Sequence, residues 1–341
     1  MKHYKKMKLF FVIFCLLFLT TADDVKADQL SDVSFSADGG KILSRYRNKI
    51  SVWETQTGKL LQTFETEARA FKYAAFLPDG KTIFSVNDKA EMIWLDIETG
   101  GSKNKTPGKA VFPYTISADG KTIAHSLILK SNNEEIIEFY DAVNGAVKGS
   151  FRYPSSVYVC LVFSTDDEKL LAVGDDNLSV ISLKTGKIEK SFAHQMPFLH
   201  CAASTRGDSV LVASPIGSGE NSLQIYSLRN NQKYLGLDKE YSGQISDIGA
   251  VGYSTKNPDL AFAAGKNRQI GNESVRGLFI LWNTNSGKIK QSITTVNSLA
   301  SAALCADGKS VLVQEVNGNM TLFDLGTGAV IRKYPEVSNL S

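Results

Sequence analysis

Short apolar runs recur along the chain, separated by polar clusters rich in Gly, Asp, Asn, Ser and Thr. Near the start they read DVSFS, KILSRYR, KISVWET and KLLQTFE. These are four strand-sized segments with turn residues between them. Other runs, such as KLLAVG, DSVLVAS and KSVLVQEV, are apolar almost throughout rather than alternating. A strand of that kind needs both faces of its sheet covered. No helical period of any length competes, so the pattern predicts an all-β chain.

The runs fall into a repeat. VWETQTGKLL at 52–61 places a Trp-acid pair five positions ahead of a Gly, and looser copies follow: WLDIETG, FYDAVNG, VISLKTGKI, LWNTNSGKI and LFDLGTGAV. Aligning on that Gly gives Gly58, Gly100, Gly145, Gly186, Asn231, Gly287 and Gly328, spaced 41 to 56 residues apart. Each copy has a second landmark upstream: FSADGGK, FLPDGK, ISADGK, FSTDDEK, ASTRGD, YSTKNP and LCADGK. Asp-Gly starts a hairpin turn, because the carboxylate accepts backbone N–H groups and Gly takes a positive φ without steric cost. Seven such units tile residues 31–336 and leave no room for another domain. A period in the low forties with four short strands per unit predicts a seven-bladed β-propeller, four antiparallel strands per blade.

These motifs resemble the tryptophan-aspartate (WD) repeat family of β-propellers. Its FSPDG element is matched best by FLPDG at 76–80 and FSADG at 35–39. Its Trp-Asp position holds Trp53-Glu54, Leu95-Asp96, Tyr140-Asp141, Ile181-Ser182, Tyr226-Ser227, Trp282-Asn283 and Phe323-Asp324. No copy keeps both letters. Only His194 falls at the family's Gly-His position, so its His–Ser–Trp–Asp network is expected to be missing from most blades. Many members complete the last blade with an N-terminal strand. Here AVIRKYPE at 329–336 follows the final turn directly, which predicts closure by apolar packing between blades one and seven, without strand exchange. The resemblance implies a protein or peptide partner received at the variable face and the channel mouth.

Composition adjusts the picture at the N-terminus. A Lys-rich start, eleven apolar residues from Leu9 to Leu19, and small residues after them predict a signal peptide over 1–27, cut after Ala22 or Ala27. The apolar run is too short to span a bilayer, and Val-Ile-Phe ahead of Cys15 does not fit a lipoprotein site. The expected product is an exported monomer over 28–341, periplasmic or extracellular, with no membrane span. The whole chain carries a net charge of +3, but residues 1–27 hold five Lys against two Asp, which leaves the remainder neutral. A neutral domain lacks the basic footprint of nucleic-acid binding.

Candidate chemistry is sparse. His194 and His200 are six apart beside Cys201, which matches no standard zinc spacing. Asp175-Asp176 reads as a tight turn. No metal, cofactor or catalytic set is expected. The alternative is a propeller enzyme, a lactonase-like hydrolase or quinone-dependent oxidoreductase, with a site in the central channel. Beyond the leader lie Cys160, Cys201 and Cys305, an odd count. Cys160 and Cys201 fall on opposite faces of successive inner strands, so they either meet between blades four and five or point apart. Three buried thiols are expected, since a disulfide needs Cα atoms about 4.4–6.8 Å apart. Extra length gathers at one end of the units, in LKSNNEE, PIGSGEN and GKNRQIGNESVRG. Insertions on one face of a repeat scaffold mark a binding face. Asn132, Asn133, Glu134, Asn267, Arg268, Gln269 and Asn272 are the candidate contact residues.

Overall fold

The computed structural model describes residues 31–109, 113–129, 134–154, 158–174, 177–193, 200–213, 223–228, 233–234, 245–267 and 276–335. Among these, twenty-eight strands form seven four-stranded antiparallel sheets, each from four consecutive strands. The chain is a seven-bladed β-propeller, as the repeat predicts. Blade one consists of β1 (Ser31–Phe35), β2 (Lys41–Tyr46), β3 (Lys49–Glu54) and β4 (Leu60–Glu65), paired in that order. First strands converge on the axis, where most successive ones touch. Fourth strands form the outer wall, and Ser102–Pro107 of blade two has no fully buried residue.

The unbroken apolar runs have the expected cause. The second strand of blade two, Thr82–Asn87, is buried at every position. Seven hydrophobic clusters hold the ring, each shared by two neighbouring blades. In one, Leu43, Ile50, Val52 and Phe64 of blade one meet Phe71, Ala74, Ile83 and Leu95 of blade two. No blade covers its own faces, so stability is a property of the ring.

The recurring acid-to-Gly spacing builds a turn. Asp96 Oδ1 accepts the Thr99 N–H at 2.7 Å, and Asn283 and Asp324 accept equivalent N–H groups. Lys103 and the Thr99 N–H hold the Asp96 carboxyl down at about 2. The Gly then takes φ +74° at Gly58, and a Cβ there would lie 2.8 Å from the Arg332 side chain of blade seven. Turn geometry and close approach to the preceding blade both require Gly. At the other turn Asp38, Asp79, Asp119 and Asp307 accept N–H groups of the residues just after Gly. Blade four has Asp167 in place of Gly, at φ +55°. Its carboxylate also accepts the N–H groups of Ala118 and Asp119 of blade three.

Closure joins blade one to blade seven without strand exchange, since Val330–Tyr334 supplies the outer strand of blade seven itself. Apolar packing does part of this: Val33, Ile42 and Trp53 pack with Leu312, Met320, Leu322 and Tyr334. Polar links add to it. The Val33 N–H donates to Ser301 Oγ, and Ser301 Oγ to Asp32 Oδ1 at 2.9 Å. Arg332 donates to the carbonyls of Gln56 and Thr57, and Tyr334 to that of Thr55.

A fragment of the family network survives in blade one, where Trp53 Nε1 donates to Ser44 Oγ at 3.4 Å. Trp282 holds the same place in blade six, fully buried, with its Nε1–H unpaired. Trp53 pairs with Ile42 and Trp282 with Ala261, so Ala263 stands where blade one has Ser44. Ala263→Ser restores the acceptor and is expected to raise stability by about 0.5–1.5 kcal/mol. The check is a shifted denaturation midpoint at unchanged m-value.

Candidate binding face

Antiparallel order puts the two uniform turns at one end of each blade, and the second-to-third turns and inter-blade connections at the other. Glu134 opens the third strand of blade three (Glu134–Asp141), and Asn267 closes the second strand of blade six (Leu260–Asn267). Both are therefore on the variable end. Asn132, Asn133, Arg268, Gln269 and Asn272 lie outside the described residues, as do Asp175, Asp176 and His194. Part of the extra length extends strands instead of loops. Second and third strands run to eight residues in blades three and six, against six in blade one. Asn267 is half-buried and pairs with Ile245 and Arg276.

The inner strands begin on this same face. Three residues before the landmark motif stand Asp32, Tyr73, Pro113, Cys160, His200, Ala250 and Ser301, all on inner strands except Pro113, which precedes one. Asp32 accepts from Ser301 of blade seven and is the register partner of Arg45, and its charge acts on Arg45 and on His200 of blade five. Arg45 is 6% exposed and donates to the Phe71 carbonyl of blade two at 3.1 Å. Burial pulls the Arg45 pKa down while Asp32 and Tyr73 pull it up. Burial also lowers the His200 pKa, against the Asp32 charge and a hydrogen bond to the Ile248 backbone. The seven residue types differ, so no letter repeats to flag them. Only their fixed offset from the landmark could have found them.

One expectation is corrected here. Cys160 and Cys201 form a disulfide, with Cα atoms 6.1 Å apart. The cause is the convergence of first strands at the axis, which brings blades four and five closer there than farther out. Cys305 is the buried free thiol, its pKa raised by burial.

Blade three carries a buried polar network between β-strands two and three. Tyr140, at the Trp position, donates to Glu138 Oε2 at 2.6 Å, and His125 Nε2 lies 3.2 Å from the Tyr140 hydroxyl. Lys109 reaches Glu138 Oε1 at 2.5 Å, and the Tyr114 ring stacks on His125 at 4.9 Å. Tyr226 of blade five repeats the device with Gln224: where Tyr replaces Trp, an acceptor stands two residues before it. His125 is fully buried with Nδ1 unpaired, which fits a neutral ring with its proton on Nε2. Burial lowers its pKa, outweighing the pull of Glu138. The unfolded chain thus takes up a proton near pH 6.5 that the native state refuses, and stability falls as pH drops below that value. The slope expected from His125 is at most about 1.4 kcal/mol per pH unit. His125→Phe, which keeps the stack on Tyr114, is expected to flatten it in urea midpoints measured from pH 7 to pH 5.

The family model for the NWD2 C-terminal beta-propeller matches residues 23–213, more than half of the sequence. The chain belongs to the NWD2 C-terminal beta-propeller family. It is also similar to Protein tipD of Dictyostelium discoideum, 22% identical over 267 residues, which are 75% of this chain and 40% of that protein. The chain therefore spans well under two thirds of that relative. WD-type propellers such as this NWD2-like ring commonly serve as protein-interaction scaffolds and are typically non-catalytic. Among the described residues of this family member, no group of three His, Cys, Asp or Glu is placed to hold a metal ion. No helix among them is long and apolar enough to cross a membrane.

Proposed function

We propose that this propeller is an exported, non-catalytic scaffold that binds a protein or peptide through its variable face and channel mouth. The observation that carries the reading is coincidence. The longest insertions connect strand ends at the same end of the ring as Asp32 and its register partner Arg45, while the other end is uniform turns. A rigid ring lowers the ordering cost of presenting such a surface. The Cys160–Cys201 disulfide supports export, since such bonds persist in oxidising compartments. Shortening the 268–275 connection, which leaves the paired strand residues Asn267 and Arg276 in place, is expected to reduce partner recovery in an affinity pulldown by about tenfold or more, with an unchanged melting temperature. Equal recovery of every partner removes that loop from the contact surface. The alternative, a channel enzyme, draws on the Asp32 charge that acts on His200. It requires that His200→Ala abolish a turnover that the intact protein displays.

A further inference from the structure

Cations gather at one place on the variable face: the turn between the second and third strands of blade one, the connection into blade two, and the matching turn of blade two. Arg47, Arg69 and Lys89 are exposed there, and Lys72 is half-buried. Backbone hydrogen bonds knit the three segments together. The Phe71 N–H donates to the Arg47 carbonyl at 3.0 Å, and the Asp88 N–H to the Ala70 carbonyl at 3.0 Å. Arg45, buried beneath them, donates to the Phe71 carbonyl next to Lys72. Arg47 is itself fixed, at φ +55° and with its guanidinium 5.1 Å from the centre of the Tyr46 ring. The fold sets these positions before any partner arrives.

The charges there are poorly balanced. Elsewhere toward this end of the ring, Lys49, Lys105, Lys109 and Lys266 each pair with a carboxylate. The Lys72 and Lys89 side chains make no ion pair among the described residues. Burial pulls the Lys72 pKa down, Asp88 pulls it up, and the charges of Arg45 and Arg69 push it down again. Arg45 has Asp32 as its register partner, and the two charges offset. Arg47, Arg69, Lys72 and Lys89 then stand against Glu67 and Asp88, a positive sector on a domain that is neutral beyond its leader.

We propose that this sector receives an acidic segment of the partner protein, whose carboxylates lie against Lys72, Lys89 and the two exposed arginines. This rests on the scaffold reading above and names the chemistry of the partner. A carboxylate that reaches Lys72 supplies the counter-charge that the fold withholds, and Arg47 and Arg69 offer planar forks for two-point contacts. Glu67 is exposed among the cations, where it would repel a continuous phosphate backbone or a sheet of anionic headgroups. Separate carboxylates on a peptide can pass to either side of it. The cations are also fewer than the 6–10 phosphate contacts that make nucleic-acid binding strong.

The probe is fluorescein-labelled hexaglutamate, titrated into the intact protein and followed by anisotropy, with hexaglutamine as the uncharged control. Saturable binding of hexaglutamate that weakens as salt rises is expected, with none of hexaglutamine. Lys72→Met should lower the affinity about tenfold, because a half-buried charge is screened less than an exposed one. Lys89→Gln should lower it about threefold, as for an exposed pair. Lys288→Gln, on the uniform-turn face, should leave it unchanged. Absence of hexaglutamate binding, binding that neither variant weakens, or tighter binding of a thymidine hexanucleotide or of phosphatidylserine vesicles overturns the proposal. If Lys72→Met fails to fold, the exposed Lys89→Glu takes its place, with a larger loss expected than for Lys89→Gln. Failure here leaves partner cross-linking from Glu134 and Asn267 intact, whereas failure of the scaffold reading removes that cross-linking and leaves hexaglutamate binding in place.

Discussion

Replacing Cys160 and Cys201 together by Ser is expected to lower the unfolding free energy by about 4 kcal/mol. The bond ties residues 41 apart in sequence, and closing a loop of that size in the unfolded chain accounts for an effect of this order. In the native ring it joins the first strands of two neighbouring blades, which also share the apolar cluster of Leu171, Val173 and Val180 with Val210, Val212 and Tyr226. Guanidinium unfolding of the oxidised protein against the double variant measures the loss. The same loss on adding reductant to the unaltered protein identifies the bond, not the substitutions, as the cause. A difference under about 1 kcal/mol places the two sulfurs apart in solution.

Trp53→Ala is expected to cost about 3–5 kcal/mol. Trp53 is 2% exposed and sits where the ring closes: its indole meets the Tyr334 ring edge-on at 5.9 Å and its Nε1 reaches Ser44. Removing it opens a cavity in the one cluster that joins the two ends of the repeat array. The coupling between Trp53→Ala and Tyr334→Leu should fall within about 0.5–3 kcal/mol, as for residues in direct contact. Additive losses would mean that the two rings do not meet. An open array would also unfold in several steps, so a single cooperative transition in the parent and a broadened one in Trp53→Ala are expected.

The fold was legible because each blade repeats the same local physics. Asp or Glu before a Gly makes a turn wherever it falls, and a strand buried on both faces has to be apolar along its length. Seven copies made the blade count readable even though none keeps both letters of the Trp-Asp pair. Features that exist once were harder. Cys160 and Cys201 were expected to remain thiols on the basis of an ordinary blade separation, but strands at the axis are nearer than that. Asp32, Arg45 and His200 come from blades one and five, and nothing in a linear spacing says that the charge of Asp32 acts on both of the others. The insertions were visible as length, though in blades three and six part of that length extends strands.

The most direct test of the scaffold account compares the two ends of the ring by photo-cross-linking in the protein's native cells. A photoreactive phenylalanine is placed at Glu134 or Asn267 on the variable face, and at Gln56 or Asn285 on the uniform-turn face. The account predicts a discrete cross-linked partner from the first pair and none from the second. A partner captured from Gln56 or Asn285, with nothing from Glu134 and Asn267, would contradict it.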